Sequence, residues 1–242
     1  MCGRYSLTLP NDAMRQLFDL PAAAWMAPRF NIAPSQIAPV IRLGDIGTGG
    51  TGGTGGTDGG GGMVLDGMTW GLIPSWSKEG LTSKGQINAR SETAAEKPAF
   101  RAAFRRRRCL IPADGFYEWQ NVEGGKQPYW ISRTDGAPFV FAGLWETRGD
   151  RHGGEIVSFA ILTTAAAENI RPIHHRMPVI LESRNFAAWL DPRETPPPSL
   201  FAPGQAPEMT ARPVSRRVNS PRNDDAACLA EAPKSPVQGK LF

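Results

Sequence analysis

The sequence predicts an α+β fold, a single β-rich domain with more strand than helix. Three observations point to it. Between residues 37 and 181, runs of β-branched and aromatic residues recur between Gly, Pro, Asn and Asp. Apolar residues at helical spacing are confined to a few short segments. The 242 residues, 40% of them hydrophobic, can bury one large core, and no internal repeat divides the chain.

Taken in order, residues 11–18 (NDAMRQLF) read as a helix, with Met14, Leu17 and Phe18 at helical spacing after a Pro-Asn start. Phe30–Pro34 is extended, and Ile37–Leu43 is a strand. Residues 44–62 (GDIGTGGTGGTGGTDGGGG) form a low-complexity loop that brings nothing to a core. Its glycines do not make a phosphate-binding loop, because no lysine follows at the required spacing. The segment reads as a flexible insertion between strands. Met63–Trp70 resumes as strand and leads into WGLIPSW (70–76), with INARSET following at 87–93. Ala99–Arg107 reads as a short helix burying Phe100 and Phe104, one turn apart. Arg108–Ile111 and Gly115–Gln120 are strands, and VEGGK is a turn. Tyr129–Ser132, Phe139–Glu146 and Glu155–Thr164 are further strands, the last apolar enough to be buried on both faces. Arg184–Leu190 is a helix stopped by Asp191-Pro192, and residues 195–207 are a Pro-rich loop. The expected domain spans 1–231, with a disordered tail at 232–242.

Charge and cysteine content narrow the function classes. Lys+Arg of 27 against Asp+Glu of 23 is compatible with a polyanionic partner without requiring one. Arg105–Arg108 and the group Arg212, Arg216, Arg217 and Arg222 are either a polyanion contact or solvated surface. Cys2, Cys109 and Cys228 are scattered, with no C-x-x-C pair and only three histidines. A structural zinc site and a disulfide framework are therefore not expected, and a reducing compartment is. No signal peptide or bilayer-length apolar run is visible, so a cytoplasmic protein is expected, with no metal and no cofactor.

Some positions carry chemistry. Cys2 becomes N-terminal if Met1 is removed, which puts an α-amine and a thiol on adjacent carbons. The amine titrates at roughly 7.7–8.0 and the thiol at about 8.5, so both are partly nucleophilic near neutral pH. The amine can condense with an aldehyde, and the thiol can then close a thiazolidine. Taken alone, Cys2 is more simply an early residue without consequence. Glu118 sits between Tyr117 and Trp119, either as a carboxyl with raised pKa or as the outward residue of an alternating strand. Asn88 and Arg90 lie in a segment too apolar for ordinary surface. His174 and His175 precede an apolar strand, as an acid/base or as structural residues.

The segments MCGRY, FNIAPSQ (30–36), WGLIPSW, INARSET, RCLIPADGFYEW (108–119), LTTAA (162–166) and IHHRMPVIL (173–181) occur in one order. Together with PVSRRVNSPRNDD near the end, this set resembles the SOS-response-associated peptidase (SRAP) family, the abasic-site processing and shielding proteins. The resemblance implies a domain of twisted, barrel-like antiparallel sheets with peripheral helices. It implies that a monomer captures abasic sites in single-stranded DNA, at single-strand/duplex junctions too. Cys2 would form a thiazolidine with the ring-opened aldehyde. Asn88 would hold the N-terminus or the sugar, and Glu118 and His174 would move protons. Arg4 and Arg90 would pair with phosphates, Pro34, Trp76 and Trp119 would wedge or stack against bases, and Thr164 would touch phosphate or backbone. The family's peptidase label would describe release of residues ahead of Cys2, and a lyase step is compatible with the same imine.

This sequence departs from the family pattern in the long 44–62 insertion and in the His-His doublet, where the family more often has Asp after the first His. Two other classes compete. An N-terminal-nucleophile amidohydrolase would use the Cys2 thiol on an amide with the α-amine as base. A non-catalytic single-strand-binding module would rely on the basic stretches alone.

Overall fold

The computed structural model describes residues 2–8, 27–44, 62–77, 85–149, 154–202 and 206–233. The expected 11–18 helix, nearly all of the 44–62 insertion and the tail beyond 233 lie outside the described residues. The molecule is built from two sheets. The outer sheet takes β1 (Tyr5–Leu7), β2 (Arg29–Ile32), β7 (Gly115–Val122), β8 (Gly125–Arg133) and β13 (Met209–Pro213), in the order β13-β8-β7-β1-β2. The second sheet contains β3 (Ile37–Leu43), β4 (Met63–Trp70), β6 (Arg108–Ala113), β9 (Phe139–Gly149) and β10 (Glu155–Ala165). These strands close a barrel. β3 pairs antiparallel with β4 along its whole length, from Ile37↔Thr69 to Leu43↔Met63. β4 meets β10 in parallel at Ser158↔Thr69 and Phe159↔Trp70. β10 returns along β9, β9 along β6, and β6 reaches β3 at Ile41↔Leu110. Three short strands extend the barrel wall: β5 (Asn88–Arg90) and β11 (Arg176–Pro178) on β10, and β12 (Ile180–Leu181) on β9.

Closure leaves these five strands without free edges, and their inward residues supply most of the core. The interior is tight enough to select glycine: a Cβ on Gly143 would sit 2.5 Å from Ile111 Cδ1 and 2.7 Å from Cys109 Sγ. The outer sheet is fastened to the barrel by aromatic edges. Tyr5 meets Trp70 at 5.2 Å and Phe141 at 5.7 Å between ring centroids, and Phe116 meets Phe141 at 6.1 Å. Each such pair contributes about 0.5–1.5 kcal/mol beyond its buried area. The β7–β8 hairpin turns at Glu123-Gly124, where φ of +79° at Gly124 and +135° at Gly125 require glycine.

Among the described residues, helices are few and peripheral. α1 (Arg101–Arg106) buries Ala103 and Phe104, and Phe104 packs edge-on against Trp189 of α2 (Phe186–Leu190). At six and five residues, these helices depend on such packing rather than on propensity. The strands read from sequence for 37–43 and 63–70 match β3 and β4 residue for residue. Other strands run longer than expected, β8 and β9 most of all, because hairpin partners carry polar residues along. The expected Pro-rich loop contains a 3-10 turn at Pro198–Phe201 that buries Leu200.

Arg108 corrects the reading of the arginine run as one basic surface. It is buried, lies over the Trp189 ring, and donates to the carbonyls of Phe104 (2.6 Å), Trp189, Asp191 and Glu194. In the second basic group, Arg212 stacks on Trp130 at 4.8 Å and Arg217 pairs with Asp225 at 2.5 Å, while Arg216 and Arg222 are exposed.

Candidate active site

Cys2 lies fully buried at the head of β1, in the seam between the two sheets. Three elements converge on it. β5 runs parallel to β10 with Asn88 opposite Ile161, and Asn88 Nδ2 donates to the Cys2 carbonyl at 2.8 Å. Asn88 Oδ1 is buried with no partner among the described residues, an acceptor left open beside Cys2. β7 runs antiparallel to β1, and the Tyr117 N–H donates to the Arg4 carbonyl at 3.0 Å. Continued one step, that register brings Glu118 alongside the N-terminal segment. The turn after β10 supplies His174, whose Nδ1 stands 3.9 Å from Glu118 Oε1. Gln120 Nε2 ties β7 to this turn through the Pro172 carbonyl at 3.1 Å.

The two readings of Glu118 are resolved by the covering of β7. Phe116 and Glu118 face the barrel side, while Tyr117 and Trp119 face a C-terminal segment. Val214, Val218 and Cys228 of that segment cover Tyr117, so both faces of the strand are buried. Glu118 is only 3% exposed, and this burial lifts its carboxyl from 4.5 to about 7. Burial and the neighbouring Glu118 charge push the Cys2 thiol well above its ordinary range, so it rests protonated. Burial also lowers His174, which favours the neutral ring. His174 Nδ1 lies 3.0 Å from both the backbone N–H and the carbonyl of Arg176. Unprotonated it accepts from the first, and protonated it donates to the second. The ring can therefore change protonation state without losing a partner.

Glu118 and His174, with Trp119, Lys126 and Asn219, line an open cavity of about 440 Å³. Trp119 is half-buried and donates from Nε1 to Asn219 Oδ1 at 2.8 Å. Arg90, at the end of β5, is exposed. Pro34 occupies the corner of a tight turn closed by Gln36 N–H to the Ala33 carbonyl, with Ser35 held at φ 72°. The Ser35 N–H docks this turn on the Trp70 carbonyl at 2.8 Å. Trp76, beyond the end of β4, is 67% exposed.

Two expected contacts stand differently. Arg4 spends its donors internally, on Asn31 Oδ1 (3.0 Å) and the carbonyls of Val218 (2.7 Å) and Asn219 (3.4 Å). It anchors the C-terminal segment, a task Asn31 shares through the carbonyls of Val218, Ser220 and Asn223. Thr164 lies apart from the set: its hydroxyl donates to the Phe201 carbonyl at 2.8 Å, beside a separate small pocket. Sequence reasoning missed Arg176, which forks onto Glu92 at 2.9 Å and donates to the Thr163 carbonyl at 2.6 Å. It braces β11 on β10 behind His174. Its place in IHHRMP was the available signal. No group of His, Cys, Asp and Glu suited to a metal occurs among the described residues, nor any helix long and apolar enough to cross a membrane.

The family model described as SOS response associated peptidase (SRAP) matches residues 1–221. Abasic site processing protein YoaM of Bacillus subtilis is 38% identical over 238 residues, spanning 95% of this chain and 97% of its own. Abasic site processing protein HMCES of Gallus gallus is 37% identical over 193 residues, 69% of this chain and 57% of that one. Among solved structures, a Bacteroides thetaiotaomicron protein superposes with a TM-score of 0.78 at 26% identity, covering 96% of this chain and all of that one.

Proposed function

Because the chain belongs to the SOS response associated peptidase (SRAP) family, we propose that it processes abasic sites in DNA by covalent capture through Cys2. The relatives, named abasic site processing proteins, support the substrate. The convergence of Asn88, Glu118 and His174 on Cys2 carries the chemistry.

Loss of Met1 frees the Cys2 α-amine. The ring-opened abasic sugar offers an aldehyde at C1′. The amine nitrogen attacks that carbon, and the carboxylate of Glu118 takes the proton released from nitrogen. Passed to the alkoxide, that proton makes the carbinolamine; the second N–H proton follows the same route to the hydroxyl, which leaves as water and gives an imine. The Cys2 sulfur then bonds to the imine carbon, and its proton passes to nitrogen. The product is a thiazolidine. A thiol held protonated by burial supports this order, nitrogen first and sulfur second. A carboxyl titrating near 7 suits a group that must both take and return a proton at neutral pH. The open Asn88 Oδ1 is placed to accept from the α-amine or a sugar hydroxyl. His174 supports ring opening of the sugar and slow reversal of the adduct. An imine left standing promotes β-elimination and strand cleavage, and sulfur capture removes that route. The partner in this reading is single-stranded DNA, with bases stacked on Trp119 and Trp76.

The test is a single-stranded oligonucleotide with one abasic site, read on a denaturing gel after heating. Wild-type protein whose intact mass shows Met1 gone is expected to give a heat-stable adduct, and Cys2→Ala none. Cys2→Ser is expected to give only an imine trappable by borohydride, with more strand cleavage. A heat-stable adduct from Cys2→Ser without reduction would refute sulfur capture.

A further inference from the structure

We propose that Lys126 and Asn219 form a phosphodiester-binding subsite on the Trp119 side of the cavity that Glu118 and His174 also line. The inference rests on the reading that this cavity takes a single DNA strand, and it names residues that hold the strand.

Both side chains line the same cavity as Glu118 and His174. Lys126 stands opposite Asn121 across the β7–β8 hairpin, which puts it on the face of Tyr117 and Trp119. It is exposed and forms no ion pair among the described residues. Asn219 arrives from the C-terminal segment. Indole Nε1–H can only donate, so its bond to Asn219 fixes Oδ1 toward Trp119 at 2.8 Å. The Asn219 amide Nδ2 is left with no partner among the described residues. The subsite therefore combines an ammonium and an unused N–H₂ beside an indole face. Acidic neighbours on the same segment are already engaged: Asp224 by Arg29 and the N–H groups of Phe30 and Asn31, Asp225 by Arg217. Two donors flanking an aromatic platform match the backbone of a strand whose base stacks on that platform. Arg4 holds the Asn219 carbonyl at 3.4 Å, so a half-buried arginine helps shape this wall.

The experiment measures binding of an intact, lesion-free single strand across a salt series, beside adduct formation on the abasic strand. Asn219→Asp keeps the acceptor for Trp119 and replaces the donor with a negative charge. It is expected to weaken binding at least several-fold at low salt. Lys126→Gln is expected to weaken binding and to reduce the log–log salt slope by about 0.7, the value for one phosphate on a single strand. Arg193→Ala, on a distant exposed ion pair, is the control and should bind as wild type. If Asn219→Asp and Lys126→Gln both keep the wild-type affinity and slope while wild type still forms the adduct, the subsite is wrong and the capture reading stands. If wild type forms no adduct, the capture reading fails, and the salt slopes still decide the subsite.

Discussion

Asp114, the residue between β6 and β7, and Glu118, within β7, stand four residues apart. Both are buried, at 6% and 3% exposure. Asp114 is surrounded by donors. Its Oδ1 accepts from Ser6 Oγ at 2.5 Å, and its Oδ2 accepts from the backbone N–H and the hydroxyl of Thr8, each at 2.5 Å. Trp130 Nε1 completes the group by donating to Ser6 Oγ at 3.0 Å, directly over Gly115. Glu118 meets His174 at 3.9 Å, beyond hydrogen-bond length, and desolvation raises its carboxyl to about 7. Burial alone does not set what a carboxyl does. Fixed donors make Asp114 a fastener for β1, while burial brings Glu118 to titrate near neutral pH, as the proposed proton transfer requires.

The comparison can be broken by exchanging the two roles. The largest effect is expected from Glu118→Gln, which keeps shape and removes proton transfer. Adduct formation should slow by about 10²–10⁴-fold in a gel time course, the usual worth of a positioned acid–base. The same variant should be more stable than wild type at high pH. The folded-state value, about 7, lies above the unfolded value near 4.5, so the contribution of Glu118 to stability is fully present below 4.5 and lost as pH rises through 7. Urea denaturation at pH 8 should then favour Glu118→Gln by up to about 3 kcal/mol, with near equality at pH 4. Equal differences at both pH values would mean that Glu118 does not titrate near neutrality. Asp114→Asn should do the reverse. Its amide oxygen can replace only one of the two carboxylate oxygens, and its NH₂ cannot accept from the buried donors the other held, so unfolding should become easier by about 1–3 kcal/mol. Folded Asp114→Asn should still form the adduct. Thr8→Ala, which deletes one donor of the three, should cost about 1 kcal/mol in the same assay.

Much of this was legible in the sequence, for reasons that differ by region. β3 and β4 were read to the residue because glycines bound them and they pair along their full length. β10 read correctly as buried on both faces because closure surrounds its apolar run. The barrel was legible only through the family resemblance, which implied barrel-like sheets, and not in the residue pattern itself. It depends on two parallel pairs, Ser158↔Thr69 and Phe159↔Trp70, between segments far apart in the chain. The direction of Glu118 was undecidable for a related reason. Alternation presumes one wet face, and β7 has none where residues 214–229 cover it. Arg108 misled because four arginines in a row look alike until Trp189 and a ring of carbonyls select one. Motif order singled out Cys2, Asn88, Glu118 and His174 as candidates; Asn88 bonds the Cys2 carbonyl, and His174 stands 3.9 Å from Glu118. Lys126 and Asn219 gave no signal, since a hairpin lysine and a turn asparagine resemble ordinary solvated surface.

The most direct measurement is the pH dependence of the adduct-forming rate, for wild type and Glu118→Gln, on one abasic single strand. Wild type should show a rate that rises through an inflection near pH 7, as Glu118 becomes the base that takes the proton from the Cys2 amine. Glu118→Gln should be slower throughout and lack that inflection. Superimposable profiles for the two proteins would contradict the account.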